Sequence, residues 1–482
     1  MTEPSHKEPQ ATKATVSRRA FIQTTGAAAL SATMIGCSTG TSTHAPSLDP
    51  NAIPTDAMTM RTNPNTGDRV SLLGFGCMRF PTVDHTSARE NANAPLDQAL
   101  INDMVDFALD HGVNYFDTSP AYCQGRSEGA IGEALSRHPR EKYFIATKLS
   151  NFAKETWPRE ASLAMYEKSR QLLRVDTIDY MLLHAIGMGA DDGLSAMDVF
   201  HKRYIENGIL DTLVEEKKAG RIRNLGFSYH GDIAVFDELL KRHDNGQNHW
   251  DFVQIQLNYV DWKHAKEINE RNTNAEYLYN ELEKRGIPAI IMEPLLGGRL
   301  ASLNFKSIEQ LKTLDPDASI ASWAFRYAGS PANVLTVLSG MTFPEHLYEN
   351  IRTYSPLKPI TDAERRALEQ VAQTILNYQL IQCNTCQYCM PCPYGLDIPA
   401  IFSHFNKCLN EDHFAADIRD PNYAQSRRAF LVGYDRAVPK LRQAVHCIAC
   451  NKCVHHCPQG LDIPALMQRV DEYVEFLKQN PT

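Results

Sequence analysis

The stretch Val113-Asn114-Tyr115-Phe116-Asp117-Thr118-Ser119-Pro120-Ala121-Tyr122 decides the fold. Its first five residues form one of eight short β-branched and apolar runs, at 71–75, 113–117, 143–147, 179–183, 223–227, 251–256, 288–292 and 334–338. Longer segments with helical periodicity lie between them, among them 103–109 and 210–218. Eight strands alternating with helices between about residues 60 and 360 predict a (β/α)8 TIM barrel. A doubly wound open sheet would carry G-x-G-x-x-G after a strand, and Gly74-Phe75-Gly76 lacks the third glycine.

Barrel active sites are built at the carboxyl ends of the strands. Asp117 closes the second run, with Tyr122 five residues on; Lys148 follows the third run and His184 the fourth. Singly, each has a plain reading: Asp117 caps a turn, Tyr122 and His184 pack, Lys148 is solvated. Together, in strand order, they form a candidate catalytic set.

These residues carry a family resemblance. Phe116 to Tyr122 with Gly125, Ser127 and Glu128 resembles the aldo-keto reductase signature, and Ala146-Thr147-Lys148 and Leu182-Leu183-His184 resemble its next two blocks. Gly220-Arg221-Ile222-Arg223 through Gly226-Phe227-Ser228, then Glu293-Pro294-Leu295 with Gly297-Gly298, then Pro344-Glu345 with Glu349-Asn350, resemble later blocks. The resemblance implies a barrel that interconverts a carbonyl and an alcohol with NAD(P)(H), which needs hydride on carbon and a proton on oxygen. A free phenol is a poor acid near neutrality, and a neighbouring cation lowers its pKa. The resemblance thus implies Tyr122 as general acid or base, Lys148 as the cation, Asp117 as its anchor and His184 as the group that orients the carbonyl oxygen. It implies nucleotide contacts from Gly76, Met78, Ser228, Gln254, Pro294, Leu295, Gly298, Gly340, Glu345, Glu349 and Asn350. Two departures stand out. Tyr229-His230 follows Ser228 where the family has Asn, and Gly340, Met341 and His346 stand where members selective for the 2′-phosphate carry Lys or Arg. Phosphate recognition favours permanent cations, so NADH, or a flavin, gains over NADPH. The substrate is a small carbonyl or alcohol, a sugar among the candidates. The segment from Ala185 through Asp191-Asp192 to Tyr204 is expected to shape specificity. Tyr259 and Trp262 either stack on a sugar or aromatic ring or pack, with neither reading favoured.

Residue 361 opens a helix with the capping box Thr361-Asp362-Ala363-Glu364 and an apolar stripe of Leu368, Val371, Ile375 and Leu376. Then come Cys383-x-x-Cys386-x-x-Cys389-x-x-Cys392-Pro393 and Cys447-x-x-Cys450-x-x-Cys453-x-x-x-Cys457-Pro458. The phrase Tyr394-Gly395-Leu396-Asp397-Ile398-Pro399-Ala400 returns as Gln459-Gly460-Leu461-Asp462-Ile463-Pro464-Ala465, an internal repeat. The pattern resembles a bacterial ferredoxin with two clusters, in which the fourth cysteine of each motif serves the other cluster. Carried over, Cys383, Cys386, Cys389 and Cys457 would hold one [4Fe-4S] cluster and Cys447, Cys450, Cys453 and Cys392 the second. The shorter last spacing of the first motif leaves that cross-assignment open. One zinc would leave four cysteines idle, and the triplets do not suit disulfides. Segments 424–431 and 437–445 read as helical, which predicts a mainly helical iron–sulfur domain. Cys77, Cys123 and Cys408 read as packing residues, the first two near the site.

Apolar residues make up 43% of the 482 and charged residues 22%, ordinary globular composition. A net charge of −8 gives no general attraction to nucleic acid. Ser17-Arg18-Arg19-Ala20-Phe21-Ile22-Gln23 before a short Ala, Gly and Thr-rich stretch resembles a twin-arginine export signal. Ser426-Arg427-Arg428-Ala429-Phe430-Leu431 matches the string too, but no apolar stretch follows it, so position decides. Met34-Ile35-Gly36-Cys37 resembles a lipoprotein box with Cys37 as lipid anchor. The expected organisation is a signal over 1–37, a flexible linker over 38–58, a barrel over 59–375 and the two-cluster domain over 376–482. The expected partners are the twin-arginine translocation machinery and a redox partner, at the periplasmic side or cell envelope. Nicotinamide moves electrons in pairs and clusters move them singly. Three arrangements meet that mismatch: a retained nicotinamide, a flavin-adapted barrel, or a non-catalytic barrel in an electron-transfer or redox-sensing subunit.

Overall fold

The computed structural model describes residues 49–189, 193–268, 272–378 and 380–481. The paired arginines, Cys37 and residues 38–48 of the expected 38–58 linker lie outside them. So do Ala190, Asp191 and Asp192 of the expected specificity segment. Among the described residues, no helix is long and apolar enough to cross a membrane.

A short antiparallel hairpin comes first, β1 (Met60–Thr62) and β2 (Arg69–Ser71). Eight parallel strands follow: β3 (Leu73–Gly76), β4 (Tyr115–Asp117), β5 (Phe144–Leu149), β6 (Ile178–Ile186), β7 (Ile222–Tyr229), β8 (Phe252–Gln256), β9 (Ala289–Met292) and β10 (Val334–Gly340). They close in sequence order, with β10 back on β3. Each of the eight runs expected from the sequence became one strand. The hairpin was not anticipated. It stands at the amino-terminal end of the barrel, where the buried Asn63 amide donates to the Tyr180 hydroxyl and the Asn224 side-chain oxygen at 3.1 and 3.3 Å.

The two-residue period of a strand sorts its side chains between two cores. Tyr115, Ala146, Tyr180, Leu182, Phe252 and Ile290 fill the barrel interior. The Tyr180 ring meets Tyr115 and Phe252 edge-on, with centroids 5.0 and 5.1 Å away. Their strand neighbours Phe116, Met181, Leu183 and Ile291 pack outward under the helices. Continuing the inward parity one step toward the carboxyl ends gives Asp117, Lys148 and His184. The layer above an apolar floor is therefore polar by register alone.

The 361 capping box formed as expected, opening helix Asp362–Asn377. This helix is tied to Asp261–Ile268 by buried His264, whose two ring nitrogens lie 2.7 Å from Glu267 and Glu369. Two carboxylates satisfy both nitrogens only if both carry protons. Burial opposes that charge, but the hydrogen bonds to Glu267 and Glu369 outweigh it and hold the imidazole above its usual range. A raised cationic pKa stabilises the fold below about pH 6.5, and that stabilisation is lost as pH rises through the higher folded value. The melting temperature is expected to fall between about pH 6 and pH 8, and His264→Gln is expected to flatten that part of the profile. Thermal unfolding of both proteins across that range checks it.

A second core, built on Phe402, Phe405, Phe430, Tyr434, Met467 and Val470, joins helices Ile398–Asn410, Tyr423–Ala437 and Ile463–Gln479. The repeated phrase is a helix start used twice. Asp397 and Asp462 accept from the Ala400 and Ala465 amides at 3.3 and 3.2 Å, and a proline sits in each first turn. Gly395 and Gly460 precede them with φ of 78° and 59°, which glycine adopts freely. The expected helix over 424–431 lies inside Tyr423–Ala437. The one over 437–445 did not form: Val438 is extended, Pro439 interrupts, and two short turns follow, Lys440–Arg442 and Ala444–His446.

Candidate functional site

Asp117 ends β4, paired in register with Ala146 of β5. Lys148 lies one inward step further along β5, level with Leu182 of β6. The Lys148 Nζ donates to Asp117 Oδ1 at 2.6 Å and to the Thr118 carbonyl at 2.9 Å. Both side chains are buried. Tyr122 opens a short turn, Tyr122–Gly125, and its ring centroid lies 4.8 Å from the Lys148 ammonium. The His184 ring faces that of Tyr122 edge-on, with centroids 6.1 Å apart. All four expected residues thus meet at the mouth of the barrel.

Two serines that the sequence reading missed belong with them. Ser150 Oγ lies 2.6 Å from His184 Nδ1, and Ser119 Oγ lies 2.8 Å from Ser150 Oγ. Each stands two residues beyond a reactive residue, Ser119 after Asp117 and Ser150 after Lys148, so strand parity was the available signal. Burial, then the charges of Lys148 and Arg203, hold His184 well below its usual range and hence neutral. The Ser150 hydroxyl donates to Nδ1 or accepts from it according to which ring nitrogen carries the single proton.

Tyr122 departs from expectation. Burial and then Asp117 push its phenol well above its ordinary value, and the cation most strongly opposing them is Arg89. Burial likewise raises Asp117 against the pull of Lys148. In this enclosed mouth, desolvation outweighs the single ammonium that the sequence reading credited.

The expected nucleotide contacts line one side of the rim. Gly76 ends β3 beside Gly340 of β10, and Ser228 of β7 pairs with Gln254 of β8. Ser228 Oγ accepts from the Ala185 amide at 2.9 Å, and Gln254 Oε1 is buried without a hydrogen-bond partner. Glu293 and Glu349 each keep one buried carboxylate oxygen unpaired. Gly298, with φ of 101°, faces open space. Pro294 is buried, Leu295 is half-buried and Glu345 is exposed. Met78 Sδ takes an Arg89 N–H at 3.4 Å, and Asn350 is turned inward to Ser339 Oγ at 3.0 Å. Unpaired amide and carboxylate oxygens beside a side-chain-free surface fit a ligand bearing amide and hydroxyl groups. The missed residue here is Arg79. Its stem lies 3.1 Å from where a Gly340 side chain would start, and its Nη2 donates to the Gly297 carbonyl and Thr385 Oγ1 at 3.1 and 3.2 Å.

Tyr259 and Trp262 settle as packing residues. Tyr259 is buried and meets Tyr327 edge-on, while Trp262 packs on Tyr279 and Tyr327. Cys77, Cys123 and Cys408 are buried thiols.

The second centre lies in the carboxyl-terminal part. Cys383, Cys386, Cys389 and Cys457 line one cavity with Ile398, Phe402 and Leu461. Among the described residues, no three His, Cys, Asp or Glu side chains are close enough to share a single metal ion. The four thiols surround a volume instead, which suits a metal cube. Burial raises the Cys386 thiol to about 12, with Cys457 and Cys383 adding to it. Burial raises Cys453 to about 11, with Cys447, Cys392 and Cys450 adding. Thiols crowded in this way ionise only against a polycation. Cys457 of the second motif lines the cavity of the first triplet, and the charge of Cys392 bears on Cys453 of the second. Thr385, Gln387, Ala449 and Asn451 all have positive φ, at matching places in the two triplets, so the loops share one fold. All described cysteines are free of disulfides.

The aldo/keto reductase family profile matches residues 72–373. The chain belongs to the aldo/keto reductase family. A 4Fe-4S dicluster domain matches residues 382–461. L-galactose dehydrogenase of Arabidopsis thaliana is 25% identical over 312 residues, 61% of this chain and 88% of that protein. NADH-specific methylglyoxal reductase of Escherichia coli is 23% identical over 307 residues, covering 59% and 90%. Among solved structures, the holo form of an aldo-keto reductase from Bacillus halodurans aligns with a TM-score of 0.49 at 22% identity, covering 65% of this chain and 96% of that one. This aldo/keto reductase is an oxidoreductase with an iron–sulfur domain attached to its barrel.

The contact between the two parts is close. A Cβ on Gly297, whose φ is 71°, would lie 2.5 Å from the Asn384 carbonyl oxygen in the first cysteine loop. Gly297→Ala is expected to lift that loop from the barrel and cost about 1–3 kcal/mol. Thermal unfolding, read beside the iron-to-protein ratio, checks this.

Proposed function

We propose that this aldo/keto reductase is an exported enzyme that interconverts a carbonyl and an alcohol, with Tyr122 as acid and base and two [4Fe-4S] clusters passing electrons. The observation that carries the reading is the buried Asp117–Lys148 pair lying 4.8 Å from the Tyr122 ring beside a neutral His184. In reduction, the Tyr122 phenol gives its proton to the substrate oxygen, and negative charge appears on the phenol as it does so. Lys148 is already in place to meet that charge, and Asp117 holds the ammonium still. His184 donates from Nε2 to the same substrate oxygen and fixes its position. Run backward, the phenolate takes the alcohol proton.

A bound nicotinamide supplies the hydride. Ser228 and Gln254 would hold its amide, with Gly298 leaving room for its backbone. Glu345 and Glu349 suit ribose hydroxyls and repel a 2′-phosphate, which favours NADH. A relative described as NADH-specific agrees with this. The substrate is a small carbonyl or alcohol, with a sugar as the leading candidate; L-galactose dehydrogenase is among the relatives. The clusters supply one-electron exchange, and exposed Cys450 marks where a redox partner meets the chain. Export rests on the twin-arginine string and a lipid anchor on Cys37, and it places the enzyme at the periplasmic side or cell envelope.

Mass spectrometry of the organic cofactor released from anaerobically denatured protein tests the reading. NADH together with substrate turnover supports it. Flavin would mean a barrel adapted to single electrons. Failure to bind either, with no substrate turnover, would leave a non-catalytic electron-transfer or redox-sensing subunit.

A further inference from the structure

Three arginines of the barrel converge on the first cysteine loop. Arg79 donates to Thr385, between Cys383 and Cys386. Arg299 donates to the Gln382 side-chain oxygen, beside Cys383. Its Nε and Nη1 are buried with no hydrogen-bond partner. Arg89 is only 6% exposed, and its Nε and Nη2 are likewise buried and unpaired. Its charge bears on Cys383 and Cys386 on one side and on Tyr122 on the other.

Leaving five-donor cations buried with open N–H groups is costly unless an anion lies within reach. Met78 Sδ, the one side-chain acceptor of Arg89 among the described residues, is weak and neutral. Four thiolates around an iron cube make a net anion, and a further electron makes it more negative. Buried guanidinium groups are weakly screened and favour that more negative state. The second group of cysteines is placed differently. Cys450 is exposed, and the lysine of its own loop, Lys452, is exposed to solvent that screens it.

We infer that Arg79, Arg89 and Arg299 form a cationic collar, supplied by the barrel, that raises the reduction potential of the first cluster above that of the second. Electrons taken up at the exposed second cluster then settle on the first, next to Tyr122. Each transfer moves one electron, oxidising the second cluster as the first is reduced, and needs an external one-electron carrier. Arg89 is a positioning residue here: it acts on the cluster's charge and, through the same guanidinium, on the phenol. The inference rests on the cysteine assignment and not on the carbonyl chemistry.

The test is a potentiometric titration of the full-length, cluster-loaded protein with dithionite, followed by electron paramagnetic resonance, with neither substrate nor nucleotide. Two midpoints are expected. Cys450→Ala, which removes a ligand of the second cluster, is expected to lose the lower one. Arg89→Met and Arg299→Met are expected to lower the higher midpoint and leave the lower in place, with Arg89→Lys restoring much of the shift. Iron content and the unmoved lower midpoint show that the variants are folded. The inference is overturned if Cys450→Ala removes the higher midpoint. It is also overturned if both midpoints ignore Arg89→Met. Because no turnover is read, failure of the carbonyl reading leaves the result intact.

Discussion

Tyr122→Phe is expected to lower kcat for carbonyl reduction about 10²–10⁴-fold while leaving both cluster signals unchanged. The substitution removes one oxygen from a ring that stays packed against Lys148 and His184, so the loss reports proton transfer rather than collapse. KM is expected to change little, because the proton moves only in the transition state. The phenol is held well above its usual range by burial and by Asp117. A raised phenol stays protonated across the neutral range, so reduction is expected to show no loss between about pH 6 and pH 9. Oxidation needs the phenolate and is expected to climb with pH throughout that range. Steady-state rates in both directions, for wild type and variant, check all of this. A wild-type oxidation profile that is flat from neutral pH upward would mean the phenol is not the base.

Cys457→Ala has the other large effect. Cys457 belongs by sequence to the second motif, but it lines the cavity of the first triplet. Its loss is expected to cut iron from about eight to about four atoms per chain and to remove the signal of the cluster nearest the barrel. Cys447, Cys450, Cys453 and Cys392 remain, so the second cluster is expected to persist. Were each motif to keep its own cluster, the same substitution would instead remove the exposed one. Iron analysis with electron paramagnetic resonance on the Cys450→Ala and Cys457→Ala pair separates the two arrangements.

Much of this was legible in the sequence, for identifiable reasons. Strands buried on both faces are nearly continuous apolar runs, and all eight could be read. Their carboxyl-terminal polar residues follow from strand parity, which brought Asp117, Lys148 and His184 into one layer. The cysteine spacing carried the iron–sulfur domain because few other structures need that repeat. What escaped depends on approach between distant segments. Arg79 ends a short turn with no motif, and only the fold shows that it reaches Thr385, 306 positions away. The raised phenol of Tyr122 escaped because a neighbouring lysine can be inferred from sequence whereas desolvation cannot. Ser150 escaped although its spacing from Lys148 would have shown it. The segment 437–445 was misread because its apolar period was given more weight than Pro439.

On the proposed assignment the fourth ligands are exchanged, which would have an architectural consequence. The domain contains two copies of one unit, yet neither copy could keep its metal if separated, since each would lend a cysteine to its twin. The halves would be clasped like linked hands. Cofactor loading and chain closure would become one event, and oxidative damage at the outer cube would release Cys392 from its grip. The breach would then spread inward, toward the loop that rests on the barrel.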